Sequence, residues 1–486
     1  MKKLTGLDAL WLYMETKTCP MHVGGVNVFG RPDDPSFSPL DAVRRQFASR
    51  VGSIAPLRRV LVSDPLGLDH PYWVVDGKFD LDDHIHHLAL PKPDDDTLTR
   101  LVARLMETPL DRSRPLWEAH VIEGLEGNNW ALFQKYHHAA IDGGAGILLA
   151  DALYDKDSTI RTEMPELLFD DAEDTPGAME LAARASKAAL TQPMASMKYQ
   201  YSAFKDAVRK TREMGLERLR ELSKDTLKSV ISGPEEDRLL FLPTRTAPPT
   251  PWNKPVSVRR DFLCHSLSLN EIKTLRLHME CSVNDVVMTM CAGGLRRYLL
   301  EHDALPDEPL VAAIPVSERT GEEEDTWVNR ISIMLTQLPT NVDGAMERAA
   351  AVKSSTGKLR DLLQLTPRYA LGNIAEYSAP LVASTLAQLT TRPEVSDRTG
   401  SMMNLTLSNV PGNREPLYVS GAQLQRTIPT SLLNEGVGLN ITVLSYTDRL
   451  EMGLTACPKA IPDLARMREC LLDELSLLRE TYLADT

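Results

Sequence analysis

One glycine-rich stretch constrains this chain more than any other part of its sequence. Two adjacent histidines, His137 and His138, are followed by Asp142 and then by three glycines within four residues. The aromatic and apolar residues 130–135 just before them form a run short enough to predict a buried strand. Residues 146–153 just after them are rich in apolar helix formers, which predicts a helix. The histidines are therefore expected in a loop that rigid elements hold at both ends, where catalytic groups are often placed.

The order of these residues suits proton transfer. A neutral imidazole near its ordinary pKa can take a proton from a hydroxyl at neutral pH, provided that a partner fixes its other ring nitrogen. An acid four residues later can lock the loop by pairing with an arginine, and Arg319 is our candidate for the partner of Asp142. The same residues also fit a pair of hydrogen-bonded histidines in an ordinary turn.

Composition and short motifs exclude several classes of function. The 486 residues are enough for two domains, and a net charge of −13 argues against a general nucleic-acid binder. The six cysteines form no Cys-x-x-Cys pair, which favours free thiols in a reducing compartment over a disulfide framework or a zinc site. We find no nucleophile elbow, Walker loop or Gly-x-Gly-x-x-Gly. Serine-hydrolase, P-loop and dinucleotide-binding interpretations therefore lose their main support.

The sequence predicts neither a signal peptide nor a membrane span. Asp8 and Glu15 break the apolar run that follows Met1, and no clean cleavage site comes after it. No run of apolar residues is long enough to cross a bilayer as a helix.

Strand and helix patterns mix in both halves of the chain, which predicts two α/β units of similar size facing each other. Between them, residues 180–230 have a helical pattern and carry eleven Lys and Arg against six Asp and Glu. This segment is either a solvated helix that bridges two domains or a basic surface that lies on anionic lipid. The candidate lipid-facing side chains are Lys205, Arg209, Lys210 and Arg212.

A proline-rich stretch at 243–255 indicates a linker. We therefore predict an N-terminal domain at 1–155, a helical connecting segment at 156–250 and a C-terminal domain at 251–486.

Three histidines lie close together near several acids and raise the question of a metal site: His84, His86 and His87. Because His84 and His86 alternate with Ile85 as residues of a strand do, His87 would point to the opposite face. We therefore predict a surface edge strand here and no metal site.

The histidine motif reads HHxxxDG, a pattern shared by condensation domains and several coenzyme A-dependent acyltransferases. Further motifs in one order span nearly the whole chain: an N-terminal pair at 4–8 and 20–24, PLW at 115–117, NDVV at 284–287, SNVPG at 408–412 and LNIT at 439–442. Together they resemble the bacterial wax ester synthase/diacylglycerol acyltransferase family. Asn413 departs from that pattern, because the family often has proline there.

The resemblance implies an α/β fold of two chloramphenicol-acetyltransferase-like domains with mixed sheets, joined by a helical linker, with the active-site channel between them. The implied reaction moves a fatty acyl group from acyl-coenzyme A to a long-chain alcohol or to diacylglycerol. Acyl-coenzyme A is a substrate, and no cofactor is expected. The reaction needs neither a metal nor a covalent intermediate, because a thiolate is already a good leaving group.

The resemblance also assigns roles to the motif residues. His138 is expected to be the general base, His137 to act by orientation or packing, and Asp142 to hold the loop. Gly143 is expected to allow close approach of the backbone to substrate.

Residues of the second half are expected to complete the site. Asn284, Ser408 and Asn409 would approach His138 and supply hydrogen bonds to the developing oxyanion. Helix capping by Asn284 and turn chemistry at Asn409 are the alternatives. Three more residues would border the hydrocarbon channel of the acceptor, and the glycines would leave space in it: Leu432, Gly436 and Gly438.

Two other functions remain open at this point. One is a condensation-type enzyme on other acceptors, although this chain has no carrier or adenylation module. The other is a non-catalytic protein of lipid surfaces that has kept the fold. We expect a cytoplasmic protein attached peripherally to membrane or lipid droplets. The preferred acceptor, the acyl length and the oligomeric state, a homodimer included, stay open.

Overall fold

Two six-stranded sheets and one three-stranded sheet form the framework of the protein. A computed structural model describes residues 1–165, 173–188, 190, 247–319, 327–365, 380–390 and 400–484. The basic side chains of Lys205, Arg209, Lys210 and Arg212 lie outside the described residues.

The first half of the chain alternates strands and helices. In chain order these are β1 (Lys2–Lys3), α1 (Gly6–Met14), β2 (His22–Phe29), α2 (Pro39–Arg50), β3 (Arg59–Val62), β4 (Tyr72–Val75), β5 (Ile85–Ala89), α3 (Asp95–Glu107), β6 (Trp117–Glu123), β7 (Trp130–His137) and α4 (Gly143–Leu153). Strands β1, β4 and β3 form the small sheet, and β2, β7, β6 and β5 are neighbours in a large one. Strand β7, helix α4 and the edge position of β5 confirm the sequence predictions.

The second half forms a mixed sheet with helices packed on it. In chain order its elements are β8 (Asp261–Ser268), α5 (Leu269–His278), α6 (Val283–Glu301), β9 (Leu310–Ser317), β10 (Ile331–Leu338), α7 (Ala345–Leu365), α8 (Pro380–Thr390), β11 (Leu405–Val410), β12 (Tyr418–Val419), β13 (Ala422–Thr430), β14 (Leu439–Tyr446), β15 (Arg449–Ala456) and α9 (Leu464–Leu483). The second large sheet has the order β10-β9-β11-β14-β15-β8. Strand β11 runs parallel to both of its neighbours, whereas the other pairs are antiparallel.

Helix α6 begins with a capping box. The Ser282 hydroxyl accepts the N–H of Asp285 (3.1 Å), and the Asp285 carboxylate accepts the N–H of Ser282 (2.9 Å). Because the N-cap is Ser282, the predicted alternative of helix capping by Asn284 was wrong. Further along α6, Gly294 lets α9 pack closely, because a Cβ there would lie 2.6 Å from the Cα of Leu471.

Strands β12 and β13 cross from the second half into the first sheet and complete the order β12-β13-β2-β7-β6-β5. Strand β13 pairs antiparallel with β2, with Ile428 opposite Val26. It also passes directly over β15, where a Cβ at Gly453 would lie 2.0 Å from the carbonyl oxygen of Pro429. This glycine therefore allows the two sheets to touch along one strand.

The crossing strands were not predicted from the sequence, and neither were α7 and α8. The domain limits 1–155, 156–250 and 251–486 stay a proposal. Within the proposed C-terminal domain, residues 418–430 belong structurally with the first sheet, because β12 and β13 cross into it.

All six cysteines are free thiols, as the sequence predicted, and five of them are buried. None of the helices in the described part of the chain is both long and apolar enough to span a bilayer.

Candidate active site

A cavity of about 450 Å³ lies between the two halves of the chain, and His138 borders it. Residues of β2, β7 and α4 form one wall, and residues of β9, β11 and β14 form the other. Apolar side chains line much of both walls, among them Val23, Ile147 and Leu153 on the first side and Ala313, Pro315 and Leu444 on the second. The second wall also carries polar residues of β11 and β14, such as Ser408 and Thr442.

Backbone contacts and ring stacking hold His138 at this wall. Its N–H donates to the carbonyl oxygen of Met21 (2.9 Å), which extends the pairing of β2 and β7 by one residue. Its carbonyl oxygen accepts from the Asn329 amide (2.9 Å). The indole of Trp11 stacks on the imidazole at 4.0 Å with an interplanar angle of 18°. The ring is therefore fixed by α1, β2 and the second half of the chain together.

Burial sets the protonation state of His138. It disfavours the imidazolium and lowers the pKa to about 4, although the charge of Asp142 opposes this shift. The imidazole is therefore neutral at neutral pH and free to accept a proton.

Asp142 joins the two halves of the chain. Its carboxylate caps α4 by accepting the N–H of Ala145 (2.6 Å) and also accepts the N–H of Arg330 (2.8 Å). The Arg319 guanidinium reaches both carboxylate oxygens, at 3.0 and 3.1 Å, which confirms the predicted partner. Because a Cβ at Gly144 would lie 2.9 Å from Arg319 Nε, the glycine leaves room for this arginine.

His137 points away from the cavity and is fully buried. Its Nδ1 accepts the N–H of Ala139 (3.0 Å), so the proton belongs on Nε2, which lies 3.6 Å from the Glu15 carboxylate. Arg112 donates to the same carboxylate (Nε, 2.8 Å). These contacts fit the predicted role in orientation or packing.

Two buried residues beneath the motif were missed in the sequence. Asp8 on α1 accepts from the Asn329 side chain (2.6 Å), and the same amide group bonds the His138 carbonyl oxygen. Burial raises the pKa of Asp8 to about 6, while the hydrogen bonds from Asn329 and Thr5 oppose that shift. Asp8 and Asn329 lie 321 positions apart in the chain, and no local sequence pattern predicts a contact over that separation.

Comparison with known proteins identifies the family. The model of the wax ester synthase/diacylglycerol acyltransferase catalytic domain matches residues 4–287, and that of the WS/DGAT C-terminal domain matches 327–479. The O-acyltransferase WSD of Acinetobacter baylyi is 32% identical over 484 residues, covering 98% of this chain and 97% of the relative. A probable diacylglycerol O-acyltransferase of Mycobacterium tuberculosis is 33% identical over 481 residues, covering 97% and 98%.

The chain belongs to the wax ester synthase/diacylglycerol acyltransferase family. It is therefore an acyltransferase.

A solved structure of a family member from Marinobacter aquaeolei superposes with a TM-score of 0.68 at 28% identity, over 99% of this chain and 100% of the other. A condensation domain of the calcium-dependent antibiotic synthetase superposes with a TM-score of 0.55 at 15% identity, over 98% and 96%. The second likeness shows a shared fold alone. It confirms the predicted two-domain α/β architecture with mixed sheets.

Most of the other residues predicted from the family resemblance lie at the cavity. Gly143, Ser408, Asn409 and Leu432 all border it. Asn284 is not among the residues that line it, but its side-chain oxygen accepts from the Asn409 amide (3.5 Å). Asn284 therefore contacts the cavity wall of this acyltransferase through Asn409.

The structure corrects the expectation for Gly436 and Gly438, which do not line the cavity. A Cβ at Gly438 would lie 3.1 Å from the carbonyl oxygen of Trp252 and would also touch Cys457. Gly436 has a φ of +74°, a conformation that favours glycine. These glycines serve a tight turn behind the wall and leave no space for substrate. The sequence showed their spacing but not the direction in which the turn faces.

The three neighbouring histidines of this family member do not converge. His84 bonds the Trp117 carbonyl oxygen (Nδ1, 2.8 Å), and His87 pairs with Glu123 (Nε2, 2.7 Å). His86 instead lies near a second group, Glu118 and His120, within reach of one metal ion.

That second group already has a cation beside it. The Lys135 ammonium lies 2.9 Å from the Glu118 carboxylate and is almost fully buried. A metal ion between His86, Glu118 and His120 would lie against this ammonium, so the geometry favours a salt bridge.

We expect Asp142→Asn to lower both stability and activity. The amide keeps the cap of α4 but cannot neutralise Arg319, and removing one partner of a buried ion pair typically costs about 3–5 kcal/mol. Thermal unfolding and turnover of the purified variant measure the two effects. Asp307→Asn, which changes an exposed carboxylate, is the matched control and should alter neither. Unchanged melting with lost activity would mean that Asp142 does not hold the loop and acts on the chemistry alone.

Proposed function

We propose that this acyltransferase moves a fatty acyl group from acyl-coenzyme A to the hydroxyl of a long-chain alcohol or of diacylglycerol, with His138 as general base. The observation that carries the proposal is a neutral, buried histidine at the wall of a largely apolar cavity. The names of the relatives support the two acceptor classes, and no cofactor takes part in the reaction.

The chemistry follows from the position of His138. Its free ring nitrogen takes the proton of the acceptor hydroxyl while that oxygen attacks the thioester carbonyl. The tetrahedral intermediate then expels the thiolate of coenzyme A, which receives the proton from the imidazolium. The nearby Asp142 carboxylate stabilises the imidazolium for the short time that it exists, because its negative charge raises the pKa of His138. Because the carboxylate attracts the imidazolium more strongly than the neutral imidazole, it stabilises the transition state more than the ground state.

Hydrogen-bond donors from β11 would stabilise the oxyanion. Ser408 and Asn409 border the cavity on the side opposite α4, where the thioester carbonyl would lie. Asn284 would orient the Asn409 amide through the contact at 3.5 Å. Loss of one such donor typically costs about 10²- to 10³-fold in turnover.

The enzyme would work at a cytoplasmic membrane or lipid-droplet surface, because both substrates and products are too apolar to leave a bilayer freely. The basic segment with Lys205, Arg209, Lys210 and Arg212 is the candidate contact surface. Each Lys or Arg near an anionic leaflet contributes about 1 kcal/mol of binding free energy.

We expect salt to release the protein from anionic vesicles. Screening weakens the attraction of basic side chains beyond a Debye length of about 8 Å at physiological ionic strength. Co-sedimentation with phosphatidylserine vesicles at rising salt measures this release, and phosphatidylcholine vesicles are the control. Binding indifferent to both salt and lipid charge would point to an apolar patch as the anchor.

His138→Ala should lose about 10²- to 10⁴-fold in turnover while the protein stays folded. The assay follows ester formation from radiolabelled palmitoyl-coenzyme A with hexadecanol or diolein as acceptor. His278→Ala is the matched control, because His278 is exposed at the end of α5 and should leave turnover unchanged. Near-normal turnover of His138→Ala with a native melting temperature would remove His138 from the mechanism.

The pH profile tests the protonation state of the base. Because burial lowers the pKa of His138 to about 4, the imidazole stays neutral as the pH falls from 7 to 5. Turnover should therefore hold over that range and fall only as the pH approaches 4. The kcat/KM profile measures this fall, with circular dichroism at each pH as a control for unfolding. A half-maximal value near 6.5, the ordinary histidine pKa, would contradict the assignment.

A further inference from the structure

One wall of the apolar cavity carries a network of five polar side chains. They come from β2, β7 and β13 and from the residue after α4: Asn27, Gln134, Tyr136, Tyr154 and Thr427. All five border the cavity, and their polar atoms are linked by hydrogen bonds of 2.5 to 3.1 Å. A hydrocarbon chain gains nothing from such a wall, since burying polar groups without partners is costly.

The network has donors left over. The Asn27 amide donates to both Gln134 and Tyr154, Tyr154 donates to Gln134, and Thr427 donates to Asn27. Gln134 donates one N–H to the Tyr136 hydroxyl (2.7 Å). An amide has two N–H groups, and a phenol has one O–H. The second N–H of Gln134 and the O–H of Tyr136 therefore find no acceptor within the network.

Tyr136 keeps its proton at every relevant pH. Burial raises its pKa well above the usual range, while the hydrogen bond from Gln134 opposes this shift. Its hydroxyl is therefore a neutral donor that lacks an acceptor among the described residues. A donor of this kind suits a carbonyl oxygen, which only accepts.

The position of Tyr136 relates this donor to the reaction. Residues two apart on a strand lie about 7 Å from each other and point to the same face. Tyr136 lies on β7 two residues before His138, and both border the cavity. One short molecule can therefore reach both side chains, with its hydroxyl at His138 and a second oxygen at Tyr136.

We propose that Tyr136 and Gln134 form a subsite for an ester carbonyl of the acyl acceptor, next to the hydroxyl that His138 activates. This inference rests on the proposed function and narrows its acceptor class. A glycerol that carries ester groups places a carbonyl only a few bonds from its free hydroxyl, whereas a plain long-chain alcohol has no second oxygen. The subsite therefore favours diacylglycerol over hexadecanol.

The decisive comparison uses two acceptors that differ only in their carbonyls, 1,2-dipalmitoylglycerol and 1,2-di-O-hexadecylglycerol, with palmitoyl-coenzyme A as donor. The unmodified protein should show a kcat/KM about tenfold higher for the ester, since unmade hydrogen bonds leave buried donors unpaired. In Tyr136→Phe this ratio should fall towards one. The matched control is Tyr298→Phe, which removes a buried, hydrogen-bonded phenol hydroxyl that is not part of the cavity wall and should keep the ratio.

Each other outcome overturns the proposal. Equal kcat/KM on both acceptors in the unmodified protein would reject it even if Tyr136→Phe failed to fold. An equal loss on both acceptors in Tyr136→Phe would make the hydroxyl an oxyanion donor instead. Either result would leave the acyl transfer itself intact. Absence of transfer to these acceptors and to hexadecanol alike would overturn the proposed function and this subsite with it.

Discussion

The Asp142 carboxylate is the group on which the arrangement of the active site depends. It caps α4 through Ala145, pairs with Arg319 and accepts the backbone N–H of Arg330. The first contact belongs to the first half of the chain and the other two to the second, so one buried anion sets the distance between the two cavity walls. Buried ion pairs add little net stability but are strongly destabilising to break. The pair therefore acts mainly by fixing the geometry around His138.

The crossing of β13 also fixes the distance between the two cavity walls. Because β13 pairs with β2 and also packs over β15, the two large sheets cannot separate without losing backbone hydrogen bonds or a close contact at Gly453. A cavity between two sheets that a crossing strand holds together keeps a fixed width. Such preorganisation is what transfer between two bound substrates requires, since reacting groups must be held in register.

Burial has two effects in this cavity, one on the protonation of His138 and one on the selectivity of hydrogen bonds. It keeps the His138 imidazole neutral, because an imidazolium is disfavoured away from water. It also makes the hydrogen bonds of Tyr136 and Gln134 selective, because an unmatched polar group costs more in an apolar space than in water. The same dry space that suits a fatty chain therefore also allows one polar group to be recognised within it.

The sequence by itself determined the local elements around the histidine motif. Strand β7, helix α4 and the loop between them follow from short-range patterns of apolar residues and glycine. The charge of Asp142 predicted an arginine partner, and Arg319 was the candidate that the structure confirmed. The crossing of β13, the stacking of Trp11 on His138 and the contact of Asp8 with Asn329 were decided only by the tertiary structure. The direction in which the Gly436–Gly438 turn faces was also decided only by the tertiary structure. These features join residues far apart in the chain, and the hydrophobic periodicity of a segment shows which face is buried but not what covers it.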